Sequence, residues 1–390
     1  MISKKMSVNI QSGSLIRKMF EEGARLKELF GEDNVYDFSI GNPDLEPPEE
    51  VRSALCSLVD SPKPGMHGYM PNSGYLSTRT AVARSVSTPL TTVGPDAICM
   101  TVGAAGAMNA VLKSVLDPGD EVILLAPFFM EYVNYIENHC GVPVIVQTDP
   151  DTFLPNPDRI RSAITARTKA IIINSPNNPS GTLYSADTLR ELNDLILSAD
   201  HLIHVISDEP YRELVYDGRT APATMDYIQN LIVCYSFSKS LSLPGERIGY
   251  SAISPSHEDF ELLSKAVVLA NRILGSVNAP ALFQKVIELS IQAKVDVPNY
   301  EKRRNMLYEI VTGAGFTAHK PDGAFYLFVR SPGDDMEFCK RCADERLLVV
   351  PGSAFSCPGY FRLAFCASEK TIIGSEKAFR TMGKAYGLCD

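Results

Sequence analysis

The stretch Leu231-Ile232-Val233-Cys234-Tyr235-Ser236-Phe237-Ser238-Lys239 sets the reading of the whole chain. Its first five residues form an unbroken apolar run of strand length. Without the alternation of a half-buried strand, the run reads as a strand covered on both faces. Lys239 stands at the mouth of that strand, and Arg247 follows eight residues later in Pro244-Gly245-Glu246-Arg247-Ile248-Gly249. Desolvation disfavours the charged form of a lysine and lowers its pKa from the free value of about 10.4. A neutral lysine amine forms Schiff bases with carbonyls. Ser236, Ser238 and Arg247 are donors suited to a phosphate. Together they point to an aldehyde cofactor that carries a phosphate.

Working outward, the same pattern of short apolar run, turn and helix recurs from 97 to 252. Strands are predicted at 98–102, 121–126, 143–147, 170–174, 204–208, 231–236 and 248–253. Helical stretches between several of them predict an α/β domain with a mostly parallel seven-stranded sheet. Ligands of such a sheet bind outside the carboxyl ends of its strands. Beyond about 257 the pattern is helical through Tyr308. Strands at 325–329, 347–350 and 361–365 then predict a smaller α+β domain. On the amino-terminal side, 7–14 reads as an extended arm. Ser14 caps a helix with Leu15, Met19, Leu26 and Leu29 on one face, ending near Gly31. Residues 36–40 alternate as a short strand that breaks into Gly41-Asn42-Pro43-Asp44. A loop at 65–74 carries Tyr69, and a helix follows to about Ser87. The expected division is 1–44 as an N-terminal arm and part of the small domain, 45–284 as the large domain and 285–390 as the small C-terminal domain.

The bulk numbers narrow the function. At 390 residues, 45% hydrophobic and 21% charged, the chain has the composition of a globular protein with room for two or three domains. A net charge of -9 with no basic stripe argues against nucleic acid and anionic membrane surfaces as partners. The longest apolar run, 122–130, holds only nine residues and includes Pro127, far short of a membrane span. The first six residues lack the apolar core of a signal peptide. The cysteines number nine, an odd count read as scattered without C-x-x-C spacing. That fits reduced thiols in a cytoplasm rather than a disulfide framework or a zinc site. His67, His139, His201, His204, His257 and His319 show no ligand spacing, so no metal is expected. No nucleophile motif such as G-x-S-x-G is present.

Several constellations follow the predicted strands. Thr101-Val102-Gly103-Ala104-Ala105-Gly106 joins a strand to a helix. Its small residues suit either tight packing or a phosphate at a helix N-terminus, and it matches neither the dinucleotide fingerprint nor a Walker loop. Asn174-Ser175-Pro176-Asn177-Asn178-Pro179-Ser180-Gly181 is a turn, or a rigid frame that presents the Asn178 amide to a ring oxygen. Asp208, in Ser207-Asp208-Glu209-Pro210-Tyr211, ends a buried strand and needs a partner. That partner is either a structural arginine or the protonated nitrogen of a pyridine ring. Tyr211, three residues on, would reach the ring hydroxyl. Phe129 is a core residue or a stacking partner for an aromatic ring. Arg362 alternates with Phe361 and Leu363, so it takes either an internal salt bridge or a bidentate carboxylate.

These residues occur in the order of a known pattern. The chain resembles the class I/II aminotransferases of the fold type I pyridoxal-phosphate enzymes, aspartate aminotransferase-like. The resemblance rests on Gly41-Asn42-Pro43-Asp44, Tyr69 with Gly74 and Arg79, Gly103-Ala104-Ala105, Asn178-Pro179-Ser180-Gly181, Asp208 with Tyr211, Ser236-x-Ser238-Lys239, Pro244-Gly245-x-Arg247-x-Gly249 and Arg362. It implies pyridoxal 5'-phosphate bound to Lys239, which then shuttles a proton. It also implies Asp208 on the pyridine nitrogen, Asn178 and Tyr211 on the ring hydroxyl, and Phe129 stacked on the ring. Gly103, Ala104, Ala105, Ser236, Ser238 and Arg247 would surround the phosphate, with Tyr69 donated by the other subunit of a homodimer. Arg362 and Asn178, with the backbone near Gly41, would hold the substrate α-carboxylate. Ala105 replaces a hydroxyl residue common in relatives, which removes one phosphate donor, and Phe129 is not the commonest stacking residue. Arg272 falls where some aspartate aminotransferases place a side-chain-carboxylate arginine, also donated across the dimer. The implied activity moves an amino group from an L-amino acid to a 2-oxo acid by ping-pong kinetics, with aspartate and 2-oxoglutarate as the candidate pair. A pyridoxal-phosphate C–S lyase of the cystathionine beta-lyase kind shares these motifs. A catalytically silent regulatory module is the alternative outside enzymes, but no DNA-binding segment accompanies it.

Overall fold

The structure is a computed structural model that describes residues 2–12, 15–61 and 64–390, with the side chains of 8, 9 and 11–20 left out. The expected seven-stranded sheet is present. Across it run Ile98–Thr101, Gly249–Ile253, Leu231–Ser236, His204–Asp208, Thr168–Asn174, Glu121–Ala126 and Val142–Gln147. Gly249–Ile253 is antiparallel to both neighbours and every other pairing is parallel. The apolar runs are continuous because helices cover both faces, so alternate residues enter two separate cores. Val122, Leu124, Ile172, Ile206 and Ile232 face the helices Gly103–Val115 and Phe260–Ile273. Ile123, Leu125, Ile171, Val205 and Val233 face the core that includes Leu189, Leu192, Val286 and Ile287. The helix Ala281–Ser290 thus crosses the expected 284/285 division while still packing into the large core.

The second unit is built on an antiparallel sheet of Val350–Pro351, Tyr360–Ala364 and Tyr326–Arg330. Its core is aromatic: Phe316, Phe325, Phe338, Phe361 and Phe379 pack with Tyr300. Tyr36–Asp37 pairs in parallel with Leu347–Leu348, which brings the amino-terminal segment into this unit. Of the strand expected at 36–40 only these two residues form the regular strand, and Phe38 extends it, donating to the Leu348 carbonyl and accepting from the Ala364 N–H. Ser39, Ile40 and Gly41 turn their carbonyls to side chains instead. Tyr211, Leu214 and Tyr216 from the large unit complete the aromatic core and tie the units together.

Two expectations change. The arm at 7–14 is helical from Lys4–Ser12, a short polar helix whose Met6 and Ile10 line the central cavity, a tertiary contact invisible to local periodicity. Ser14, the expected cap, lies outside the described residues. The cysteines are all free, but Cys339 and Cys342 do stand at C-x-x-C spacing on the helix Asp335–Asp344. Both are buried and burial pushes both thiols up, so they pack as small apolar groups. Among the described residues no group of acidic, histidine or cysteine side chains has metal-ligand geometry, and no helix is long and apolar enough to cross a membrane.

Candidate active site

A cavity of about 1150 Å3 opens at the carboxyl ends of the central strands. Strand register puts its polar residues there: Asn174 pairs with Asp208, and Ser236 with Gly249, which in turn pairs with Thr101. Ala104, Ala105, Phe129, Asn178, Asp208, Tyr211, Ser236, Ser238, Lys239, Arg247, Gly41 and Arg362 all line it.

Lys239 sits in the one-turn helix Phe237–Ser240 that caps the strand Leu231–Ser236. Its Nζ donates to the Gly41 carbonyl at 2.7 Å and lies 5.2 Å from the centre of the Phe325 ring. Burial lowers its pKa to about 8, helped by the positive charges of Arg362 and Arg247. A sizeable neutral fraction therefore exists near neutral pH, as a nucleophilic amine requires.

Asp208 is held by its neighbours on one side only. Tyr132 donates to Oδ2 at 2.6 Å, and the Asn174 amide donates to the Asp208 backbone carbonyl at 2.7 Å. Oδ1 is buried without a partner among the described residues. Burial pushes the carboxyl up to about 7, against the lowering bond from Tyr132, with Glu209 raising it further. The structural-arginine alternative fails here, because Arg212 serves the next residue. It donates to Glu209 Oε2 at 3.2 Å, while Ser207 and Thr224 donate to Oε1. A buried carboxylate oxygen with no protein donor fits a cationic N–H from a ligand.

The loop after Asn174 is fixed by its own amides. Asn174 Oδ1 accepts from the Asn178 N–H at 2.7 Å, and Asn177 Oδ1 accepts from the Ser180 N–H and hydroxyl. Asn178 Oδ1 then accepts from Arg362 Nη1 at 3.2 Å. Arg362 Nη2 donates to the Ser39 carbonyl at 2.7 Å, and its guanidinium lies between the rings of Tyr326 and Phe355 at 4.5 and 4.8 Å. The internal salt bridge considered for Arg362 is absent among the described residues, and its Nε has no partner. Burial lowers its pKa. A buried guanidinium without a counter-ion is costly until an anion arrives.

The remaining wall suits an anion. Ser236 and Ser238 hydroxyls lie 2.7 Å apart. Arg247, in a left-handed backbone conformation at φ 52°, is braced by the Pro244 and Val102 carbonyls. Gly103 starts its helix at φ 74°, and a Cβ there would meet Arg247 Nη2 at 2.7 Å. Small residues are therefore required where backbone and guanidinium converge.

Two expected residues lie elsewhere in this chain. Tyr69 is 99% exposed and Arg272 is exposed at the end of the helix Phe260–Ile273, and neither lines the cavity. Sequence reasoning missed Tyr132, Asn174 and Tyr326. Tyr326 bonds the Tyr211 hydroxyl at 3.1 Å and stacks on Arg362. Their partners Asp208 and Tyr211 lie 34 to 115 positions away, and no local spacing signals them.

Comparison with known proteins agrees with this geometry. The family model for aminotransferase class I and II matches residues 33–372. A probable aspartate/prephenate aminotransferase of Thermus aquaticus is 33% identical over 342 residues, covering 85% of this chain and 87% of the relative. An aspartate aminotransferase of Thermotoga maritima is 30% identical, covering 95% and 94%. Among solved structures, an amino transferase from Eubacterium rectale superposes with a TM-score of 0.95 at 39% identity, covering 99% of both chains. The aspartate aminotransferase of Thermus thermophilus with maleate superposes with a TM-score of 0.86 at 27% identity, covering 98% of this chain and 99% of that one. The seven-stranded, mostly parallel sheet is that of the fold type I pyridoxal-phosphate transferases. The chain belongs to the class I and II aminotransferases and is a pyridoxal-phosphate-dependent transaminase.

Proposed function

We propose that this enzyme transfers the amino group of aspartate to 2-oxoglutarate, as a cytoplasmic homodimer with shared active sites. The observation that carries the site assignment is a matched pair of unmet buried groups: Asp208 Oδ1 and Arg362 Nε, facing one cavity. An anionic oxygen awaits a ring N–H, and a guanidinium awaits a carboxylate.

Bound pyridoxal phosphate supplies an electron sink for the charge left when the substrate α-proton departs. The chain's residues do the rest. Asp208 would hold a proton on the ring nitrogen, and a cation at Oδ1 favours its ionised form and opposes the effect of burial. Ser236, Ser238, Arg247 and the Gly103-Ala104-Ala105 backbone would grip the phosphate, with Tyr69 arriving across the dimer. Phe129 would stack on the ring, and Tyr211 and Asn178 would contact its hydroxyl. Arg362 would orient the α-carboxylate, with Asn178 and the backbone near Gly41. Lys239, released from the Gly41 carbonyl, would take the α-proton and return it at C4′ of the bound cofactor, on the other side of the transferred nitrogen. A 2-oxo acid then accepts the amino group in a second half-reaction.

Aspartate is the proposed donor because the Thermotoga maritima relative is an aspartate aminotransferase and the Thermus relatives are aspartate/prephenate aminotransferases. Arg272 would read its side-chain carboxylate from the neighbouring subunit, which agrees with its exposed position. Replacing Arg272 with Ala should lower kcat/KM for aspartate by about ten- to hundredfold, the loss of one charge-assisted pair. It should leave kcat/KM for an uncharged amino acid nearly unchanged. An unaltered value for aspartate would contradict the proposal.

A further inference from the structure

Tyr326 touches three groups of the site at once. Its hydroxyl lies 3.1 Å from that of Tyr211, and its ring lies under the Arg362 guanidinium at 4.5 Å. Its hydroxyl also packs so closely on Gly41 that a Cβ there would overlap it, and Gly41 carries the carbonyl that holds Lys239 Nζ. The residue is 3% exposed and lines the cavity. Its backbone is fixed as well, since Tyr326 pairs with Ala364 two residues along the strand from Arg362.

We propose that Tyr326 is a positioning residue that couples the Tyr211 hydroxyl to the Arg362 clamp. This rests on the site reading above, in which Tyr211 donates to the cofactor's ring oxygen and Arg362 takes the α-carboxylate. A hydroxyl has one proton to donate and lone pairs to accept. Once Tyr211 commits its proton to a ring oxygen, its lone pair is free, and the only tyrosine hydroxyl bonded to it among the described residues is that of Tyr326. Tyr326 then donates to Tyr211, and successive hydrogen bonds polarise one another in a low-dielectric site. The ring does separate work. Among the described residues Arg362 has no counter-ion, and stacking between Tyr326 and Phe355 holds its plane while leaving Nε free. The hydroxyl therefore acts on the cofactor side and the ring acts on the carboxylate side.

The two roles separate by substitution. Tyr326→Phe keeps the ring and loses the hydroxyl. Tyr326→Leu loses both. A weaker donor at the ring oxygen leaves that oxygen more basic, so the pH midpoint of the bound cofactor's visible absorbance should rise in Tyr326→Phe. Its kcat should fall about three- to tenfold, the usual weight of one hydrogen bond, with KM for the amino donor within about twofold. Tyr326→Leu should show the same rise in midpoint and also a KM about tenfold higher. A midpoint unmoved in Tyr326→Phe, or a KM raised equally by both variants, would overturn the assignment. A purely structural residue would lower the yield or stability of both variants without splitting these readouts. Wild-type protein that forms no visible band with pyridoxal phosphate would instead overturn the site reading on which the assignment rests.

Discussion

The strand His204–Asp208 carries a buried titratable group at each end, and the two ends are finished differently. At the amino end, His204 Nδ1 lies 3.0 Å from His257 Nε2, with the rings stacked at 5.1 Å. The Asp259 N–H donates to His257 Nδ1, which places the proton of His257 on Nε2, pointing at His204. Burial, with His257 and Lys169 nearby, lowers His204 to about 3. At the carboxyl end, Asp208 has one oxygen bonded to Tyr132 and the other unpartnered at the cavity. The protein closes one end with its own groups and leaves the other incomplete. Burial alone does not mark a functional group. A buried polar atom left without a partner, facing open space, does.

Asp208→Asn should break the incomplete end with the largest effect. Its kcat should fall about 10²- to 10³-fold, the scale of removing one preorganised electrostatic partner. The cofactor-free protein should respond in the opposite sense. The folded-state pKa of Asp208 is raised to about 7, so between about pH 4 and 7 the folded state binds more protons than the unfolded one. Wild-type stability from this group is present at low pH and lost as pH rises to 7. Asp208→Asn should therefore unfold at higher temperature than wild type at pH 8 when both are empty. An equal or lower melting temperature would contradict the account.

Next in size is the capture of pyridoxal phosphate by empty enzyme, which needs neutral Lys239. With a pKa near 8, the capture rate should rise about tenfold between pH 7 and 9, and a flat profile would contradict it. Gly41→Ala forces a methyl into the Tyr326 hydroxyl and should cost about 1–3 kcal/mol in denaturant unfolding. The smallest catalytic effect belongs to the closed end. His204→Gln should leave kcat and KM within about twofold. His204 has a depressed folded pKa, so its contribution to stability is lost as pH falls from about 6.5 toward 3. The variant should show a shallower loss of stability on acidification, and an unchanged slope would contradict the reading of that end as structural.

Much of this was legible in the sequence, for a physical reason. Strands covered on both faces are continuous apolar runs, so 121–126, 204–208 and 231–236 match the observed Glu121–Ala126, His204–Asp208 and Leu231–Ser236. The motifs lie at strand ends because the parallel sheet puts ligands there. The helix Lys4–Ser12 was not legible, since its sequence is mostly polar and its described contact with the cavity, through Met6 and Ile10, is made only in the folded chain. Tyr132 and Tyr326 were also hidden. Each reads as an ordinary core aromatic, and only the fold brings it to Asp208 or to Tyr211 and Arg362.

The central claim is that Lys239 and Asp208 form a site completed by pyridoxal phosphate. The most direct test is the absorbance of purified protein titrated with pyridoxal phosphate. Wild type should develop a band near the edge of the visible, absent in Lys239→Ala at the same cofactor concentration. No band in wild type, or an equal band in Lys239→Ala, would contradict it.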